Sequence, residues 1–209
     1  MLDLIYDQLL ISITERIDND DKNRYFIALS GPPASGKSTI SQKLANDLSA
    51  KMYNSSILQM DGFHYDDLIL KEKKLLLKKG APETFDVMGL INFISRLYKE
   101  EEVAIPIFDR SLELSRSSAA IISKNTKVII VEGNYILLNN YPWKELHKFF
   151  NSTIMINCEE KVLEERLIER WKKFKLSKQE INQKVYKNDL PNGINVLKNS
   201  ITPDYNLQN

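Results

Sequence analysis

The stretch Gly31-Pro32-Pro33-Ala34-Ser35-Gly36-Lys37-Ser38 has the form G-x-x-x-x-G-K-S. That is the pattern of a loop that wraps phosphate groups in main-chain N–H donors. Before it runs Tyr25-Phe26-Ile27-Ala28-Leu29-Ser30, apolar and of strand length; after it Ile40, Leu44, Ala45 and Leu48 recur at helical spacing. The loop therefore stands between a buried strand and the first turn of a helix, where converging N–H groups and the positive end of the helix favour an anion. Gly31 and Gly36 permit backbone angles and a close approach that a Cβ would block. Ala34, Ser35 and Thr39 belong to the same wrap. Lys37 is placed to reach the β- and γ-phosphates of a nucleotide, and the Ser38 hydroxyl to bind Mg²⁺.

With 209 residues the chain is long enough to bury most of its apolar surface as one α/β domain spanning 1–209. Lysine and arginine number 29 against 28 acids, a net charge of +1, which argues against a general nucleic-acid binder. A single cysteine, Cys158, excludes an internal disulfide and fits a reducing compartment. It follows the apolar run Thr153–Asn157 and is expected to be buried and inert. No apolar run approaches the ~20 residues of a membrane helix, and Met1–Leu10 already carries acids, unlike a signal peptide. These features predict a cytoplasmic protein with no membrane partner.

Working outward, Leu2, Ile5, Leu9, Ile13 and Ile17 share one face of a helix over Leu2–Ile17, followed by a polar break at Asp18–Lys22. Beyond the loop helix, Ser56–Asp61 reads as a second strand. A helix of about 13 residues travels ~20 Å from the loop, and about six strand residues return a similar distance. A right-handed crossover then puts Asp61 at the same carboxyl edge as Gly31, where open α/β sheets bind ligands. Asp66–Lys79 is rich in Leu and Lys, with Lys71-Glu72-Lys73-Lys74 and Lys78-Lys79 expected on a solvated face, against a phosphate-steering role. Gly80–Asp86 forms a turn and Val87–Tyr98 a helix. Val103–Phe108 reads as an edge strand, because Pro106 cannot donate in a ladder; Ser111–Ser123 reads as irregular or a short hairpin. Lys127–Glu132 is the strongest central-strand signal, continuous, β-branched and ending on an acid. Then come a helix at Tyr141–Phe150, a strand at Thr153–Asn157, and helices at Glu159–Phe174, Ser177–Asn188 and Asn192–Asn199. Asp204–Gln208 is a short last strand. Strands alternating with helices around a phosphate loop predict a doubly wound P-loop fold, a mostly parallel sheet with helices on both faces.

Candidate chemistry follows from these placements. Asp61 is positioned to accept the proton of a hydroxyl in line with a γ-phosphate; its competing assignment is a helix or turn cap. Glu132 is positioned to hold Mg²⁺ directly or through water, against a solvent-facing strand end. Arg166 and Arg170, four apart, share a helix face and suit a transferring phosphoryl group, against surface pairs with Glu165 or Glu169. Asp109, Arg110 and Arg116 suit an anionic or polyhydroxyl acceptor, against a structural ion pair. His64 stands three residues past Asp61 and is open to substrate or to packing.

The segments GPPASGKST, LQMDGFHYDD, KKGAPETFD, IPIFDR, VIIVEGNYILL with a following PW, and YKNDLPN occur in this order from Tyr25 to Leu207. Together they resemble the phosphoribulokinase/uridine kinase family of P-loop kinases, in its pantothenate kinase-like and fructose-transport-system kinase-like subgroup. The resemblance implies an ATP- and Mg²⁺-dependent kinase with a small-molecule acceptor. It implies Asp61 as catalytic base, with Lys37, Arg166 and Arg170 also at the reacting phosphate. The metal-side oxygens would be Ser38, Glu132 and, beside them, Asp61. An acceptor pocket of His64, Glu83, Phe85, Asp86, Asp109, Arg110 and Tyr135 would be built from an insert at about 62–125. A lid would span about 166–180. Asn188, Asp189 and Asn192 match the subgroup's N-D-x-P-N segment. The competing class is a P-loop hydrolase or nucleotide switch without a small acceptor. No N-K-x-D guanine-reading sequence, no transporter-ATPase signature and no basic aromatic stripe speaks for it. A monomer or a homodimer fits the sequence equally.

Overall fold

A computed structural model describes residues 2–21 and 23–209, with the side chains of Leu2 and Asp3 outside the description. Leu2 of the expected apolar stripe and Lys22 of the expected break therefore lie outside the described residues.

Strands β1 (Tyr25–Ser30), β2 (Ser55–Gln59), β5 (Val128–Glu132), β6 (Ser152–Asn157) and β7 (Tyr205–Gln208) form one sheet in the order β2-β5-β1-β6-β7. Every pairing in it is parallel. β1 and β5 are buried along their whole length, as strands covered on both faces must be. Alternate residues face opposite layers. Tyr25, Ile27 and Leu29 pack with Val128 and Ile130 against helices α1 (Leu2–Asp18) and α2 (Lys37–Ala50). Phe26, Ala28, Ile129 and Val131 pack against helix α4 (Val87–Lys99) and Trp143 on the other face. A third cluster, outside the sheet layers, joins Leu163 and Leu167 of α5 (Glu160–Lys173) to Ile181, Val185 and Leu190. Cys158 is buried in that cluster.

Several elements depart from the sequence reading. On α1 the buried stripe runs Tyr6, Leu9, Ile13, Ile17, while Ile5 is exposed, so the stripe drifts by one position at the helix start. β2 stops at Gln59, and Asp61 lies in a 3₁₀ turn over Met60–Phe63. The expected edge strand, β3 (Val103–Asp109), leaves the main sheet altogether. It pairs antiparallel with β4 (Leu114–Ile122), so that of the two readings of 111–123, irregular or hairpin, the structure takes a hairpin, with β3 as its other strand. Pro106 sits where the register slips between Ile105 and Ile107, so the missing donor falls at a bulge. The segment 66–79 holds only a short α3 (Asp67–Glu72) and a 3₁₀ turn over Leu76–Lys78. Trp143–Phe149 is 3₁₀ rather than α-helical. The last two predicted helices are one continuous run: α6 (Lys178–Lys184), opened by a Ser177–Glu180 capping box, passes through a π-turn at Val185–Asp189 into α7 (Leu190–Asn199).

Candidate active site

The register of the sheet sets the rim. Glu132, the last residue of β5, lies level with Leu29 of β1 and Gln59 of β2. The phosphate loop leaves β1 one residue later, and Asp61 follows β2 by two. Lys37, Ser38, Asp61 and Glu132 thereby line one cavity of about 410 Å³.

The loop is shaped by its glycines. A Cβ on Gly31 would stand 2.7 Å from the Ile156 carbonyl oxygen of β6, so only glycine allows that approach. Gly36 is left-handed (φ 88°) and opens α2 without a side-chain cap. The first N–H groups of α2 therefore have no helical partner and point out of the helix end. Lys37 is 7% exposed and its Nζ donates to the Pro32 carbonyl at 2.8 Å. Burial pushes its ammonium pKa down, while the charges of Glu132 and Asp61 oppose that shift. Glu132, also 7% exposed, is pushed up by burial and held back mainly by Lys37. The Ser38 hydroxyl donates to Glu132 Oε2 over a long 3.4 Å. Ser35 Oγ is buried with no hydrogen-bond partner among the described residues.

The other wall comes from the turn after β2, the loop at 79–85 and the β3–β4 hairpin. Arg110 Nη2 donates to Asp61 Oδ2 at 2.6 Å, an ion pair that fixes the carboxylate while the guanidinium stays half-exposed. The His64 ring lies 3.9 Å from Phe85 and 5.1 Å from Phe108. Burial lowers its pKa to about 4, so the imidazole is neutral at pH 7. Its Nδ1 is buried with no hydrogen-bond partner among the described residues. Lys79 was expected on a solvated face, yet its side chain is only 14% exposed. It lines the cavity, bonded to Asp67 at 2.8 Å and to the Glu113 carbonyl at 2.7 Å. Arg170, Trp171 and Phe174 close the third side from α5 and the turn after it.

Of the sequence-predicted residues, the cavity gathers Ala34, Gly36, Lys37, Ser38, Thr39, Asp61, His64, Phe85, Arg110, Glu132 and Arg170. Seven others stand outside its lining. Gly31 and Ser35 are buried beneath the loop. Arg166 points under the loop, its Nη1 3.4 Å from the Ala34 carbonyl and 3.6 Å from Cys158 Sγ. Glu83 is exposed and pairs with Lys78 at 3.3 Å, and Asp86 caps α4 by accepting from Gly89 N. Asp109 accepts from Ser111 and Leu112 and pairs with Arg116 at 3.2 Å. Tyr135 is fully buried and donates to the Gly80 carbonyl at 2.5 Å. These last four are bound to the protein's own frame and stand outside the lining of this cavity, apart from the acceptor wall on which they were expected. The cavity is also lined by Lys79, Gly80, Phe108, Glu113, Asn134, Lys184 and Asp189, which the sequence reading did not assign to it, and by Trp171 and Phe174 from within the expected lid. Two places carried a signal: Asp189 stands in the N-D-x-P-N segment, and a glycine after a lysine run marks a sharp turn, Gly80 taking φ +99°.

The chemistry of this lining fits a polyphosphate and a hard cation. It offers a cradle that a Cβ would fill, uncapped N–H donors, a buried ammonium, and hydroxyl and carboxylate oxygens side by side. Among the described residues no three His, Cys, Asp or Glu side chains converge on a cation, so phosphate oxygens would complete its coordination.

Residues 26–175 match the model of the "Phosphoribulokinase / Uridine kinase family". The chain is 31% identical to a "Putative uridine kinase" of Schizosaccharomyces pombe, over 97% of this chain and 90% of that one. It is 27% identical to the pantothenate kinase of Enterococcus faecalis over 70% of this chain but 49% of that protein. Its backbone superposes on the crystal structure of a "putative fructose transport system kinase" from Silicibacter sp. TM1040 with a TM-score of 0.92. That match has 35% identity and covers 96% of this chain and 98% of the other.

Proposed function

The chain belongs to the phosphoribulokinase/uridine kinase family, and from that premise we propose that it transfers the γ-phosphate of ATP to a hydroxyl of a small metabolite. The observation that carries this reading is the convergence of Lys37, Ser38, Asp61 and Glu132 on one cavity at the carboxyl rim of the sheet. Family membership supports the use of ATP. The acceptor candidates, a nucleoside, a sugar or a pantothenate-like alcohol, come from the names of the relatives.

In this reading the loop N–H groups and Lys37 bind the β- and γ-phosphates. Ser38 and Glu132, with Asp61 beside them, would hold Mg²⁺, which supplies charge neutralisation across the phosphate oxygens. Asp61 would take the proton of the acceptor hydroxyl as that oxygen bonds to the γ-phosphorus and the bond to the β-phosphate oxygen breaks, releasing ADP. Arg110 keeps the carboxylate aimed. Arg170 faces the cavity and supplies a guanidinium to the charge on the transferring group; Arg166, turned under the loop, supports the loop instead. Neutral His64, with Phe85, Phe108 and Lys79, forms the acceptor wall. The stretch 166–180, a lid on a single domain of 1–209, closes over the reacting groups and excludes water as a competing acceptor.

The test is a thermal-shift screen of uridine, sugars, sugar phosphates and pantothenate with a non-hydrolysable ATP analogue and Mg²⁺. A true acceptor at about 100 times its dissociation constant adds ~2.7 kcal/mol of stability. Fast ATP hydrolysis that no acceptor alters, with no shift in the screen, would contradict the proposal.

A further inference from the structure

The segment 185–193 reaches all three walls of the site. The π-turn at Val185–Asp189 breaks the helical run from α6 to α7, and its extra residue re-aims the side chains that follow. Asn188, 6% exposed, donates to the Lys79 carbonyl at 3.0 Å and accepts from Asn192 at 3.1 Å. Asp189 accepts from the indole N–H of Trp171 at 2.7 Å. Gly193 packs on Pro32 of the phosphate loop.

Trp171 is next to Arg170, whose guanidinium stands 5.4 Å from the indole ring centre. Arg170 lines the cavity yet makes no hydrogen bond or ion pair with any described residue. Its partial burial and the like charge of Arg110 lower its pKa, and the charges of Asp189 and Asp61 oppose that shift. A cation held this way is costly until an anion reaches it, and a long side chain without a partner spreads over many rotamers. The face of Trp171 limits that freedom, and the bond to Asp189 holds Trp171.

We propose that Asp189 is a positioning residue: through its bond to Trp171 it aims Arg170 at the terminal phosphate of a nucleoside triphosphate. It thereby gives the site its preference for triphosphate over diphosphate. This inference rests on the kinase reading above.

The test compares dissociation constants for ADP and the non-hydrolysable analogue AMP-PNP, each with Mg²⁺, by calorimetry. Wild type is expected to hold AMP-PNP at least about 10-fold tighter than ADP, a 1.4 kcal/mol difference. Asp189→Ala should bring the ratio to within about 3-fold. Trp171→Phe, which keeps a ring but loses the N–H, should do the same and stands in if the alanine variant folds poorly. Asp189→Asn keeps an acceptor oxygen and should retain the preference. A purely structural role would weaken both nucleotides alike and leave the ratio unmoved, which overturns the inference. So does Asp189→Asn behaving like Asp189→Ala, or a wild type that binds both nucleotides without preference. A wild type that binds neither removes the kinase reading, and the inference with it.

Discussion

The two sides of the cavity are built in opposite ways. The phosphate side is main chain: one strand, one loop and one helix end, contiguous in sequence, with glycines where backbones crowd. The acceptor and lid side is side chain: Asp61, His64, Lys79, Phe108, Arg110 and Arg170 come from four segments, most of them held by a partner from another segment. The first kind depends on one charged side chain, Lys37, and on glycines where an added Cβ would crowd a neighbour. The second fails when one partner of a long-range pair is removed.

The largest expected effect sharpens this contrast. Lys37→Ala removes the one side chain on which the phosphate side depends. Nucleotide affinity should fall, and turnover should drop about 10²–10³-fold or more, measured by calorimetry and an ADP-release assay. Asn188→Ala breaks the acceptor side by stripping the Lys79 carbonyl of its partner. The expected cost is about 1–3 kcal/mol in urea unfolding, with the analogue's affinity unchanged within about 3-fold.

His64 gives the next effect. Its folded pKa, about 4, lies below the ordinary value of 6.5, so between these values the unfolded chain binds a proton that the folded one excludes. Stability is therefore full above pH 6.5 and is lost as pH falls toward 4. Between pH 7 and pH 5 wild type should lose about 2 kcal/mol more than His64→Phe, read from urea curves at the two pH values. An equal loss in both proteins would contradict this. Smallest is Gly36→Ala, where a left-handed residue gains a Cβ against the Asn209 side chain. It should cost about 1–2 kcal/mol of stability and lower nucleotide affinity while leaving the acceptor wall intact.

The same contrast explains what could be read from the chain. The phosphate side was legible because its chemistry is local: Gly31 through Ser38 states its own geometry, and the four apolar residues before Glu132 place that acid at a rim. The length argument for Asp61 held in its essentials although β2 ends two residues early, because a 3₁₀ turn carries the chain on at the same edge. The acceptor side was opaque because contacts 49 and 109 residues apart decide it. Asp86 and Asp109 read as ligand groups and are turn and helix caps. Lys79 read as solvated, and Asp67 together with the Glu113 carbonyl draws it inward. Nothing in the spacing of Lys184 to Leu190 announces a π-turn, whose extra residue is fixed by tertiary contacts.

The most direct measurement follows the γ-phosphate of ATP to an acceptor found in the thermal screen, in wild type and in Asp61→Asn, by ³¹P resonance. The account predicts a phosphorylated acceptor with wild type. With Asp61→Asn it predicts loss of transfer by at least about 10²-fold while the ATP analogue still binds. Transfer by Asp61→Asn at near the wild-type rate, or release of the γ-phosphate to water alone in the wild type, would contradict it.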